Sequence, residues 1–288
     1  VTPVIRRPAQ SSPDSGTDGR RAANVGAWLI ATIPSWLILI GLIVLVAGGA
    51  VLLSALLRRA FPGLRTDDHN DALKFGYGVI GFVYAFFVGF VVSSMWGQIN
   101  AADALARAEG AAAVELARDS AAFDVADTDR IRTGLAEYLD AATAEWPVAA
   151  QRIRSTPQAE QTLQRLYQNI RDVAPRNDIQ KSFLTKSVDN LEKISHSRTE
   201  RLIQAGTESG PTWSLWAVIF LTSGLVLGSA IAYGVESQRM HYVVVLTVGT
   251  LVAANLFLIL DLSFPYLGDI GTSPEPLEVA IRYLEYLE

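Results

Sequence analysis

The chain has 288 residues, half of them hydrophobic, with a formal net charge of −5 and no cysteine. The missing cysteines exclude a disulfide framework, a thiolate metal site and a cysteine nucleophile. The acidic balance, with no basic stripe interleaved with aromatics, speaks against nucleic acid as a partner. Mean hydropathy is only +0.26, so the class is decided by how the apolar residues are distributed.

Residues 1–26 carry Pro3, Pro8, Pro13 and four arginines without apolar periodicity, which predicts a disordered tail. Val25 to Ile33 is a short apolar stretch ended by Pro34 and reads as an interfacial segment, with Trp28 and Trp36 at headgroup depth. Four blocks then contain no Asp, Glu, Lys, Arg or His: Trp36 to Leu57, Phe75 to Trp96, Trp213 to Val235 and Tyr242 to Leu260. About 20 apolar residues in a helix rising about 1.5 Å each cross a hydrocarbon layer of about 30 Å. Helices apolar on every face need lipid around them, because a domain of this size could not cover four. The expected fold is therefore all-α and polytopic, with the bilayer as a partner: four transmembrane helices in two pairs and a soluble helical bundle inserted between the pairs. Residues 27–97 hold the interfacial segment and the first two spans, 98–210 the insert, 211–262 the third and fourth spans, and 263–288 a C-terminal segment.

The second span runs without a breaker into an alanine-rich stretch, Gln98 to Phe123, which predicts one helix projecting beyond the bilayer. Asp127 or Thr128 is a candidate cap for the next helix. There Ile131, Leu135, Tyr138, Leu139, Ala142 and Trp146 share a face before Pro147 ends it. Leu163, Leu166, Tyr167, Ile170 and Val173 mark a further amphipathic helix, stopped by Pro175. Another starts near Asn177 and carries Leu184, Val188, Leu191, Arg198 and Leu202 back towards the membrane, where Gly206, Gly210 and Pro211 break it. The insert holds fourteen basic and seventeen acidic residues, a balance that suits a solvated surface.

Four spans put the tail, the insert and the C-terminus on one side. Arg20, Arg21, Arg107, Lys193, Arg198, Arg201 and Arg282 lie there, against Arg58, Arg59, Arg65, Lys74 and Arg239 opposite. The positive-inside rule then places the insert in the cytoplasm and the chain in the inner (plasma) membrane.

No enzymatic constellation is present, and no cofactor or metal is expected. His69, His196 and His241 are isolated from one another, and neither a phosphate-binding Gly-rich loop nor a nucleophile elbow occurs. Beside the membrane, Asp67, Asp68, His69 and Asp71 form a polar cluster with two readings: oxygen ligands for an ion, or caps for the second span. Asp261 borders the fourth span, either as an ion-site residue or as an interfacial helix end. In the second span Gly81, Ala85, Gly89 and Ser93 recur every four residues as a smooth ridge for close helix packing, and Gly224 and Gly228 repeat the device in the third. One position along, Phe82, Phe86 and Phe90 form an aromatic stripe that either packs against helices or lipid, or lines a constriction that empties of water.

Several of these features together resemble the bacterial bestrophin-like membrane proteins. They are His69-Asn70-Asp71 before the second span, Trp96-Gly97-Gln98 after it, Tyr138 with Glu145-Trp146-Pro147, Arg198 with Arg201-Leu202, Leu215-Trp216, and Leu260-Asp261 ahead of Gly268 and Ser273-Pro274-Glu275. The resemblance covers about residues 36 to 280 and departs from the family pattern at Phe264-Pro265-Tyr266-Leu267, where the proline is expected before the phenylalanine. It implies distant kinship with bestrophins, pentameric chloride channels whose second span lines a pore narrowed by three apolar residues spaced four apart. Phe82, Phe86 and Phe90 look like that neck. Two functions follow as expectations: a homo-oligomeric ion channel for anions, or a membrane-anchored scaffold or sensor whose helical insert binds a protein partner.

Overall fold

The computed structural model describes residues 26, 28–60, 70–150, 155–206, 210–233 and 237–287, the side chains of 70–75 and 147–150 excepted. Four helices are long and apolar enough to cross a membrane, and they fall on the four sequence blocks. Helix α1 (Ser35–Ala60) is the first span, α6 (Trp213–Ala232) the third and α7 (Gln238–Leu262) the fourth. The second span is the start of α2, an unbroken helix of 50 residues, Asn70–Asp119. At about 1.5 Å per residue it reaches roughly 75 Å, more than twice the hydrocarbon thickness. Nothing in 75–119 breaks a helix, and the alanines beyond Gln98 keep the projecting half stable. Trp28, Trp36, Trp96 and Trp213 are all exposed at the insert-side ends of the spans, where indole rings suit the headgroup layer.

The insert is a bundle of α2, α3 (Val125–Ala150), α4 (Pro157–Arg171) and α5 (Asp178–Gly206). Of the predicted apolar faces, Ile131, Leu135, Leu139, Leu163, Leu166, Ile170 and Leu191 are buried together in its core, which Leu116 and Ile194 join, while the predicted Val188 is exposed. Thr156 caps α4 by accepting from the Ala159 amide at 3.4 Å, with Pro157 at the first helical position. Asn177 caps α5, its Oδ1 accepting from the Gln180 amide at 2.8 Å.

Two expectations need correction. Helix α3 begins at Val125, ahead of the expected caps Asp127 and Thr128. The Thr128 amide already donates to the Asp124 carbonyl, and its hydroxyl donates to the Ser120 carbonyl at 2.8 Å. The same helix continues through Pro147 to Ala150. A proline removes one backbone hydrogen bond, but Glu145 and Trp146 just before it are pinned in the core and hold the turn. The C-terminal segment also contains a helix, α8 (Glu275–Tyr286), which buries Leu277, Ala280 and Leu284 in the insert core. It crosses α2 at Gly110, where a Cβ would lie 2.4 Å from the Pro276 carbonyl oxygen. Of the predicted tail, residues 1–26, all but Gly26 lie outside the described residues, and Gly26 is helical.

Within the membrane, α1 carries a π-helical turn at Val44–Gly48. Ala47 of that turn meets Gly249 of α7 so closely that a Cβ on the glycine would be 2.6 Å from the Ala47 Cα. Near the far end of the same helix pair, Ser54 Oγ and His241 Nε2 share a buried hydrogen bond of 2.7 Å. Both contacts join the first span to the fourth. Gly249→Val is therefore expected to lower stability by about 1–3 kcal/mol through overpacking, with Gly228→Val, facing open space, as the tolerated control. Thermal unfolding in detergent measures the difference.

Candidate ion pathway and its supporting core

The second span is two-faced. One side, with Tyr84, Val88, Val91, Met95 and Ile99, is buried against Ile219 and Val226 of α6 and Val252, Ile259 and Leu262 of α7. The other is uncovered. Phe82, Phe86 and Phe90 are 73%, 71% and 70% exposed, on a face left open among the described residues. Ala85 and Ser93 are exposed beside them, and no described atom lies within 4 Å of a Cβ placed on Gly81 or Gly89. Gly224 and Gly228 of the third span are likewise open. Among the described residues, neither small-residue ridge has a packing partner.

What holds this helix in place beyond the membrane is a buried ionic core that the sequence reading did not assemble. Arg201 of α5 donates from Nε and Nη2 to the Glu109 carboxylate of α2 at 3.1 and 3.3 Å. Tyr138 of α3 donates its hydroxyl to the same carboxylate at 2.6 Å. The guanidinium carbon of Arg201 stands 4.5 Å from the centre of the Trp146 ring, and the Trp146 indole donates to the Thr272 carbonyl at 3.1 Å. One turn away, Arg198 grips Glu145 through Nε and Nη2 at 3.1 and 2.9 Å and reaches Glu160 of α4 at 2.9 Å. Glu145 also accepts from the Thr156 amide at 2.6 Å. Arg201, Arg198, Glu109 and Glu145 are all buried.

Buried charges call for ion pairs and hydrogen bonds, and here the buried carboxylates of Glu109 and Glu145 each have at least two donor groups. Burial opposes the charge on Arg201, but the Glu109 carboxylate beside it prevails and holds the guanidinium protonated. Burial, with the Glu109 charge and hydrogen bond, pushes the Tyr138 hydroxyl well above the usual phenol range. Since that folded value exceeds the unfolded one, the phenol's contribution is complete at neutral pH and is lost only in strong alkali.

Asp261 and the turn after the fourth span sit at the membrane edge of this core. Asp261 is only 3% exposed, and its carboxylate oxygens have no hydrogen-bond partner among the described residues. Gly268 closes over it with φ 78°, where a Cβ would lie 2.6 Å from Oδ1. The divergent stretch Phe264-Pro265-Tyr266-Leu267 still builds a closed turn, since the Thr272 amide donates to the Pro265 carbonyl at 2.7 Å. Tyr266 stacks edge-on against Trp146 and donates to Gln204 at 2.9 Å. Of the other ion-site candidates, Asp67, Asp68 and His69 lie outside the described residues, and Asp71 stands in the first turn of α2. Asp71 precedes the second span and Asp261 ends the fourth, so the chain's path puts them at opposite ends of the bundle. Tyr138, Glu145, Trp146, Arg198 and Arg201 were legible beforehand as family markers, and Tyr138, Trp146 and Arg198 also as parts of amphipathic helix faces; their convergence needed the fold.

Fold and site define an all-helical, multi-span membrane protein whose long second helix presents one uncovered aromatic face. A bestrophin-like domain is matched over residues 44–277. The chain belongs to the bestrophin-like family, as its motifs implied. Variants of a bacterial bestrophin homologue from Klebsiella pneumoniae share its fold. One is 15% identical with a TM-score of 0.66, covering 85% of this chain and 98% of that one. A second is 14% identical with a TM-score of 0.65, covering 86% and 99%. A structure described as a membrane protein is similar at 14% identity and a TM-score of 0.61, covering 84% and 98%. No curated protein sequence matches the chain.

Arg201→Met leaves Glu109 buried without its cation and is expected to cost about 3–5 kcal/mol. The double variant Glu109→Gln/Arg201→Met should cost clearly less than the sum of its single variants. Unfolding of the detergent-solubilised variants checks both.

Proposed function

We propose that the protein is a homo-oligomeric ion channel for anions in the inner (plasma) membrane. Its second spans stand around a central axis, Phe82, Phe86 and Phe90 form the neck, and the helical insert is a cytoplasmic vestibule. The observation that carries the reading is the direction of the three phenylalanines: all point away from the chain's own core, stacked along one helix face. A single copy cannot enclose a path with an outward face, whereas a ring of copies can. The ridge of Gly81, Ala85, Gly89 and Ser93 beside the stripe supports close approach of neighbouring helices. Apolar rings of this kind block ions by dewetting. Kinship with the bestrophin family, and its chloride channels, agrees with the reading.

Two experiments test it. In liposomes, replacing Phe82, Phe86 and Phe90 together by alanine is expected to raise chloride efflux above wild type. Alanines at Phe220, Leu221 and Leu225, exposed on the third span, should leave it unchanged. Flux from neither protein despite correct insertion would favour a scaffold whose insert binds a protein partner. For orientation, engineered cysteines at Ser155 and Thr66 can be read cleanly because the native chain has none. An impermeant thiol reagent applied to intact cells should label position 66 and spare 155, and the reverse pattern would invert the topology.

A further inference from the structure

The uncovered face of α2 does not stop at the membrane. Exposed residues continue it without a gap through Phe82, Phe86, Phe90, Ser93, Gly97, Asn100, Ala104, Arg107, Ala111, Glu115 and Arg118. The ten steps from 82 to 118 average 3.6 residues, the repeat of a straight α-helix, so the stripe keeps one direction along the whole rod. Between Phe90 and Arg107 it carries only small or uncharged side chains. Arg107 is the first charge on the line, 17 residues beyond Phe90, or about 26 Å along the axis. Arg118, further on, is engaged by Tyr283, donating from Nε to its hydroxyl at 2.9 Å with the guanidinium over the ring.

The Arg107 head is held in position. Its Nη2 lies 2.5 Å from the Asp103 carboxylate one turn back, and the arginine side chain is 73% exposed against 34% for the aspartate. The pair therefore presents its cation outward and its anion on the flank. A guanidinium has five N–H donors, which leaves most of them free for a passing anion.

We propose that Arg107, positioned by Asp103, is the residue that biases the pathway towards anions. The proposal rests on the channel reading above and names its selectivity element. Repeated in each copy around an axis, Arg107 forms a ring of positive charge in the vestibule, while the neck itself contributes no charge of either sign. Rings of Arg or Lys favour anions by local concentration and by repelling cations. Asp103 tempers the ring, so removing either partner must shift selectivity in opposite directions. A merely structural role for the pair would not produce that signature.

The test is the reversal potential of purified full-length protein in planar bilayers under a potassium chloride gradient, with oligomer size checked for every variant. Arg107→Gln and Arg107→Glu are expected to lower the chloride-to-potassium permeability ratio, the latter at least about threefold, with the effect shrinking as salt rises. Asp103→Asn should raise the ratio, and Arg107→Lys should keep it near wild type. An unchanged reversal potential in conducting Arg107→Glu would overturn the proposal while leaving the channel reading standing. Absence of current from wild-type protein would overturn the channel reading, and this inference with it.

Discussion

The ion pair between Arg201 and Glu109 is the contact on which the architecture turns. A helix as long as α2 would be a free lever beyond the membrane, and an alanine-rich surface offers little apolar area to anchor it. The structure instead buries the Glu109 carboxylate in its projecting half and neutralises it with a guanidinium from α5, a phenol from α3 and the face of Trp146. Desolvating two charges is costly, so such a pair adds little net stability over an apolar core of similar volume. Its consequence is registry. A buried guanidinium and carboxylate tolerate almost no sliding, so the long helix is set against α5 at one height and one rotation.

That registry matters because α2 has one buried face and one open face from Phe82 to Arg118. Rotation by about half a turn would press the phenylalanines into α6 and α7 and turn Tyr84, Val88 and Val91 outward. The buried face is secured twice: in the membrane by packing against the third and fourth spans, and in the insert by the ionic core and by α8, which crosses at Gly110. Charged and apolar contacts thus divide the work by environment. Dispersion and shape suffice where lipid competes, and specific ion pairs appear where the alanine surface is too smooth to define a rotation.

The membrane half has its own lock. The π-helical turn of the first span lets Ala47 reach the backbone of Gly249, and the Ser54–His241 hydrogen bond secures the far end of the same helix pair. A polar side chain such as serine or histidine inside the membrane calls for a partner, and here Ser54 Oγ and His241 Nε2 supply one to each other. The first span is thereby clamped to the fourth.

The sequence by itself determined the membrane class, the four spans and the unbroken second helix, because these depend on local quantities: uncharged runs long enough to span lipid, and the absence of breakers between 75 and 119. The amphipathic faces of the insert were legible for the same reason, since Ile131, Leu135 and Leu139 or Leu163, Leu166 and Ile170 repeat at the helical period. Boundaries that depend on distant contacts were not: Pro147 reads locally as a stop, yet Glu145 and Trp146 keep the helix intact. Tertiary structure alone decided that Glu109, Tyr138, Trp146 and Arg201, spread over more than ninety residues, meet in one buried cluster. It decided equally that Phe82, Phe86 and Phe90 stand outside the chain's own core. A four-residue interval shows that side chains share a face, but which face is left open depends on the helices that fold against the opposite one.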